Sequence, residues 1–402
     1  MAKRLLEDLL VIDCASFIAG PAAATIMSDF GARVIKIEPP VIGDSYRQLM
    51  SVPGMPTAER DYFWMLDNRN KESLALDLKH PDARAVLETL IRKADVFITN
   101  FPGPIRERLQ LRAEDVMPLN ERIVYASLTP YGEDGPEKDR TGYDATAWWA
   151  RSGLMDAVRA SPDTPPGFSV PGMGDHPTAM ALFGVIMAAL YERERTGRGS
   201  AVSTSLLANG LWSNGIWMQA ALFDADFSVR LERGMRGALT ELYQCRCGRW
   251  FMLAMLNYQR EWPLLTDLIG KPEWRDDPRF ATHEARRENA AALVALLEEV
   301  IGARDWSEWQ PLFQQAGITF GPIARPTDHF ECPQVAANHF LPEIAGTGGL
   351  RTIDSPIYMA GQEKRQPGKA PTIGEHSRSI LAGIGLGEVA IDAMIASGAV
   401  AG

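Results

Sequence analysis

Short apolar runs separated by amphipathic stretches set the pattern of the first half of the chain. Residues 9–13 form an apolar run that ends on Asp13, as a buried parallel strand would. Residues 22–30 follow as a helix, with Pro21 in its first turn, where a missing N–H does little harm. Residues 34–37 read as a second strand. His80-Pro81-Asp82 opens an amphipathic helix running to about Lys93, with Ala83, Val86, Leu87, Leu90 and Ile91 on one face. Residues 96–99 read as the third strand and 123–128 as the fourth. This alternation predicts an α/β fold: a Rossmann-like large domain built on a parallel sheet wrapped by helices.

The pattern then changes twice. Residues 155–173, with Pro162, Pro165, Pro166 and Pro171, read as loop. Residues 177–193 are apolar nearly all round and predict a buried central helix, stopped by Thr196-Gly197-Arg198-Gly199. Residues 202–207 fit strand and helix equally well. From about residue 211 tryptophans become frequent (Trp212, Trp217, Trp250, Trp262, Trp274, Trp306, Trp309). Strands at 242–244 and 250–255 precede helices at 262–269, 288–301 and 306–315, a smaller α+β pattern. The expected domains are 1–210, a smaller one at 225–325, and a segment at 330–402 that returns to the first.

Composition narrows the class. The chain has 402 residues, 46% hydrophobic and 23% charged, enough for a substantial core. Its net charge of -10 argues against a nucleic-acid partner, although a local basic patch can still hold a phosphate-bearing ligand. Cys245-Arg246-Cys247 lacks zinc spacing and reads as two strand cysteines, so no metal site is expected. Residues 179–190, the most apolar run, are too short to span a bilayer, and no signal-peptide core stands at the start. A soluble cytoplasmic protein, away from membranes, is the expectation.

Residues 21–47 order a helix, a second strand and the loop Gly43-Asp44-Ser45-Tyr46-Arg47 after a Gly20-Pro21 break. That order suggests a nucleotide-sized ligand at the carboxyl ends of parallel strands. The G-x-G-x-x-G of nicotinamide enzymes is missing, which ranks an NAD-linked dehydrogenase last. Asn100-Phe101-Pro102-Gly103 ends a strand where an open sheet contacts ligand, and is equally a plain turn. Arg106 and Arg108 can meet phosphates or simply solvate a helix. Gly174-Asp175-His176-Pro177 precedes the apolar helix, so Asp175 reads both as an N-cap and as a carboxylate nucleophile. His176 reads as structural, since no Ser or Cys nucleophile motif lies nearby.

These blocks resemble family III CoA-transferases, the superfamily of formyl-CoA transferase and α-methylacyl-CoA racemase (CaiB/BaiF type). The similarity rests on Ala19-Gly20-Pro21, Phe30-Gly31-Ala32 through Glu38, Gly43-Asp44 with Arg47, and Asn70-Lys71 with Ser73-Leu74. It continues through Asp95 to Phe101, Gly142-Tyr143-Asp144, Gly174-Asp175 and Leu190 to Gly199. The resemblance implies an interlocked homodimer acting on an acyl-CoA and a free carboxylic acid, with Asp175 as the catalytic residue. It also implies coenzyme A near Ala19, Leu76 to Lys79, Asn100, Phe101, Arg108 and Tyr143, with Glu38 and the Gly43-Asp44 loop as a second half of the site.

Several positions depart from formyl-CoA transferase. Ile18 stands where that enzyme has glutamine, Pro39 where a basic residue follows Glu38, and Thr141 at a CoA-contacting lysine. Met255-Leu256-Asn257-Tyr258-Gln259 replaces a glycine-rich active-site loop, which argues against formate and oxalate as substrates. The racemase branch needs a histidine where Tyr143 stands, and a phenol with a reference pKa near 10 is a poor base. CoA transfer therefore ranks first, an acyl-CoA racemase or isomerase second, and a non-catalytic acyl-CoA-binding homologue third.

Overall fold

The structure, a computed structural model, describes residues 4–161, 163–227, 234 and 237–402. Pro162 of the expected loop and part of the 225–325 span lie outside the described residues. Two compact units divide the chain: Met1–Val158 with Pro166–Phe223 and Ala336–Gly402, and Arg159–Pro165 with Asp224–Val335.

The strands, in chain order, are β1 (Leu10–Cys14), β2 (Arg33–Glu38), β3 (Glu72–Leu76), β4 (Val96–Thr99) and β5 (Val124–Thr129), then β6 (Ala201–Ser205), β7 (Leu242–Gln244), β8 (Trp250–Leu253), β9 (Phe320–Pro322) and β10 (Val400–Ala401). In the first unit a seven-stranded sheet runs β10-β3-β2-β1-β4-β5-β6. Neighbours from β3 to β6 pair in parallel, and β10 adds an antiparallel edge. The order reverses between β2 and β4 on either side of β1, the switch point where doubly wound sheets bind ligands.

Period-two alternation sends side chains of the same strands to two covered faces. Val11, Val34, Val96, Ile98 and Ala126 pack under helices Ala19–Asp29 and Asp175–Thr196. Ile12, Ile35, Leu74, Phe97 and Tyr125 pack under helix Pro81–Lys93, whose buried residues are Ala83, Val86, Leu87, Leu90 and Ile91 as its periodicity predicts. The carboxyl-terminal segment closes this second face with Ile380, Leu381 and Ile391. The second unit wraps helices around the antiparallel sheet β7-β8-β9, with Trp262, Trp274 and Trp309 in its core.

Several expectations need correction. Strand β3 was not predicted, because Lys71-Glu72 interrupts the apolar run, so 96–99 is the fourth strand. Residues 202–207 are strand and then helix: Ser205 ends β6 and its hydroxyl caps helix Leu206–Ser213 by accepting from Ala208 N at 3.1 Å. The expected helix at 288–301 is two, His283–Glu288 and Ala290–Gly302. Gly142-Tyr143-Asp144 reads from the sequence as a turn leading into a helix near Ala145; that helix is a π-helix, Asp144–Ala150. Cys245 and Cys247 lie in the turn between β7 and β8, not in strands, and all four cysteines are free. Among the described residues no cluster of three or more His, Cys, Asp or Glu is arranged to hold a metal, and no helix is long and apolar enough to cross a membrane.

Candidate active site

The ends of β1 and β4 are tied together at the switch point. Ser16 N donates to Asn100 Oδ1 at 2.8 Å, and Asn100 Nδ2 donates back to Ser16 O at 2.7 Å. Gly20 is needed here: a Cβ would fall 2.6 Å from that of Ala15, so only glycine lets helix Ala19–Asp29 start this close to the turn. Phe17 adopts the left-handed φ of 60°, and its N–H donates to Asp44 Oδ1 at 3.1 Å. Its ring meets Tyr143 edge-on at 5.7 Å.

The residues expected to hold coenzyme A divide by exposure. Ala19 and Leu76 bury their side chains in the core, which leaves only their backbone for a ligand. Asn100 and Phe101 are half-buried at the end of β4; Lys79, Arg108 and Tyr143 are exposed. Arg106, the other candidate for phosphate, is committed internally, with Nη2 2.6 Å from Glu133 Oε2. Asn100, Phe17 and Tyr143 converge on the switch point.

Behind the switch point lies a buried ionic network. Lys36, in mid-β2, places Nζ 2.8 Å from Asp44 Oδ2 and 3.9 Å from Asp13 Oδ1, and donates to Ala15 O. Lys71 Nζ reaches Asp13 Oδ2, Pro21 O and Asp67 O, each at 2.8 Å, and Asn68 Oδ1 at 2.9 Å. Charges removed from water in this way persist only when paired and hydrogen-bonded. Burial pushes Lys71 down to about 8; for Lys36 burial acts the same way, but Asp13 and Asp44 outweigh it and the net shift is upward. Glu38 takes two bonds from Arg47, at 2.9 and 2.8 Å, and one from Ser73 Oγ at 2.6 Å. Glu38 and the Gly43-Asp44 loop thus brace the site from within and present no side chain to a ligand.

Asp175 is the first residue of helix Asp175–Thr196, and it does not cap that helix as the sequence suggested. Gly174 is the N-cap, and its N–H donates to Asp144 Oδ2 at 3.2 Å. A Cβ on Gly174 would lie 2.5 Å from Trp148 Cγ, so glycine sets how closely the helix start seats on that ring. The half-buried carboxyl of Asp175 is pushed up to about 7, by burial first and then by Asp144 and Asp67, while His176 pulls it down. The helix dipole also favours its ionised form. A carboxylate brought near neutrality by burial and acidic neighbours is a functional signature.

His176 is not isolated, contrary to its appearance in the sequence. Its Nε2 lies 3.1 Å from Asp67 Oδ1, and Asp67 Oδ2 accepts from Tyr46 OH at 2.6 Å. Asp67 and Tyr46 were missed as site residues. The available signal was a lone acid in the apolar run Phe63-Trp64-Met65-Leu66. Tyr143 and Asp144 are successive residues, one against Phe17 and the other against Gly174. The end of β1 and the start of the Asp175 helix are therefore joined through these two residues.

Comparison with known proteins identifies the family. The model of CoA-transferase family III matches residues 6–377. An acetyl-CoA:oxalate CoA-transferase of Acetobacter aceti is 32% identical over 382 residues, covering 94% of this chain and 95% of its own. An (R)-2-hydroxy-4-methylpentanoate CoA-transferase of Clostridioides difficile is 28% identical over 393 residues, covering 96% and 97%. The crystal structure of a CAIB/BAIF family protein from Brucella suis superposes with a TM-score of 0.84 at 28% identity, covering 95% of this chain and 100% of that one. The chain belongs to CoA-transferase family III and is an enzyme of the CoA-transferase class.

Proposed function

We propose that the enzyme moves CoA from an acyl-CoA to a free carboxylic acid through covalent intermediates on Asp175. The observation that carries this reading is the raised, half-buried carboxylate of Asp175 at a helix start beside the switch-point crevice. An oxygen of Asp175 attacks the thioester carbonyl, the C–S bond breaks, and CoA leaves as thiolate from an aspartyl anhydride. The thiolate then attacks the aspartyl carbonyl, freeing the donor acid as a carboxylate and leaving an aspartyl–CoA thioester. An incoming carboxylate attacks that thioester and expels the thiolate. The thiolate attacks the new acyl carbonyl, restores Asp175 and departs as the new acyl-CoA. Each step exchanges one activated acyl group for another, so one hard displacement becomes several easier ones. Water must be kept from the anhydride throughout.

Coenzyme A would lie along the carboxyl ends of β1, β3 and β4. Asn100, Phe101 and Tyr143 would sit beside its thiol arm, the backbone of Ala19 and Leu76 would line the path, and the exposed Lys79 and Arg108 would meet its phosphates. The unit that carries the seven-stranded sheet is thereby assigned to CoA. We assign a homodimer, interlocked as the family resemblance implies. Supporting it, helices Leu206–Ser213 and Gly215–Leu222 expose Trp212 (86%) and Ile216 (87%), with Phe223 (77%) just beyond, more apolar surface than a monomer ordinarily leaves in water.

The reading is tested by exchange of isotope-labelled carboxylic acids into a panel of acyl-CoA thioesters. Exchange with at least one pair, abolished in Asp175→Ala, is expected. Absence of exchange with every pair, alongside solvent exchange at the α-carbon of an acyl-CoA, would replace transfer with racemisation.

A further inference from the structure

The residue that follows the nucleophile is held by side chains from two other segments. Asp67, on helix Tyr62–Asn68, is 3% exposed and has every oxygen occupied. Oδ2 takes Tyr46 OH, the backbone carbonyl takes Lys71 Nζ and Thr25 Oγ1, and Oδ1 faces His176 Nε2 at 3.1 Å. Tyr46 itself is 1% exposed, so Asp67 cannot turn away without stranding a buried phenol. On the other side the backbone closes on the ring. Gly172 has φ of 80° and a Cβ there would fall 3.0 Å from His176 Cε1, while His176 N donates to Gly172 O at 3.1 Å. The His176 side chain is 44% exposed, so this fixed imidazole stands where the buried network meets solvent, next to Asp175.

We propose that His176, fixed by Asp67 and Tyr46, is a positioning residue for the transfer reaction: its imidazolium keeps Asp175 ionised between attacks and favours the approach of anions to the acylated Asp175. This rests on the reading of Asp175 as nucleophile. Among the described residues, Asp144, Asp67 and His176 act on the charge of Asp175 and the Tyr46 phenol feels it, and of these His176 alone can carry positive charge. Lys36 and Lys71 are turned to Asp13 and Asp44 inside the network. Without His176 the nucleophile would stand among acids alone and hold its proton. Once the anhydride forms, Asp175 carries no charge, yet both species that must attack next, thiolate and carboxylate, are anions. Asp144 and Asp67 would oppose them, and the imidazolium offsets that opposition. Burial favours the neutral ring, but the Asp67 bond and charge outweigh it and raise His176 above its ordinary value.

The test is the pH dependence of kcat/KM for acid exchange in the full-length enzyme, together with 13C NMR titration of the Asp175 carboxyl in the free protein. In His176→Gln the acid limb should move up by about one pH unit, a roughly fivefold loss at pH 7 that approaches tenfold at lower pH and recovers at higher pH. His176→Arg, which keeps a cation, should restore the acid limb and remove the alkaline one. In Asp67→Asn the alkaline limb should move down. A folded His176→Gln protein in which neither the acid limb nor the Asp175 titration moves would overturn the proposal. The NMR arm separates the two readings. An Asp175 titration that shifts in an enzyme devoid of exchange would sink the transfer reading and leave the electrostatic coupling standing.

Discussion

At Asp175 the folded protein keeps a carboxylate where attack gains and stability loses. Its pKa, raised from 3.8 to about 7, means the folded state prefers the proton more than the unfolded chain does. A group raised in this way supports folding at low pH, and that support is lost as pH rises through 7. Asp175→Asn, which mimics the protonated form, should therefore leave stability unchanged near pH 4. It should add about 2 kcal/mol above pH 7, discounted for partial exposure, as thermal melts at the two pH values would show. Gly174→Ala should act in the opposite sense. A Cβ 2.5 Å from Trp148 Cγ must push the helix start away, costing roughly 1–3 kcal/mol and about a hundredfold in kcat through misplacement of the nucleophile. Asp175 itself was legible from Gly174-Asp175-His176-Pro177 ahead of an apolar helix. Its electrostatics were not, because Asp67 is 109 positions from His176 and nothing local relates them.

Among the elements, strands β1, β2, β4 and β5 were legible because each is an apolar run with both faces covered. Strand β3 was hidden by its own chemistry: Lys71 just before it belongs to the buried network, so the strand begins on charges that local pattern assigns to a loop. The helix near Ala145 was legible but its π form was not, since Asp144 is fixed by the distant N–H of Gly174. One clue to the network was in plain view, Lys36 flanked by Ile35 and Ile37 in a strand buried throughout that stretch. The bracing of β2 to the following loop should be costly to break. Arg47→Ala would leave Glu38 buried with its main charge partner gone and should destabilise the protein by about 3–5 kcal/mol in urea unfolding. The Arg47 side chain also lies 3.5 Å over the Trp64 ring, so Arg47→Lys should recover only part of that loss.

The whole molecule, if interlocked as proposed, should scatter light as a dimer of twice the chain mass that persists on dilution to nanomolar concentration, since interlocked chains separate only by unfolding. Trp212→Asp with Ile216→Asp should yield monomer or aggregate, while intact dimer from that variant would remove the apolar helices from the interface. The family was legible in the sequence because its motif blocks follow one another in order from Ala19 to Gly199. The acid was not, since relatives with comparable identity carry names as different as oxalate and 2-hydroxy-4-methylpentanoate. The central claim, covalent transfer through Asp175, is tested most directly by trapping. The enzyme is incubated with an acyl-CoA that supports exchange, quenched with hydroxylamine, and digested for peptide mass spectrometry. A hydroxamate on Asp175, formed only when acyl-CoA is present, is the predicted result. An unmodified Asp175 peptide from enzyme that is visibly exchanging acid would contradict it.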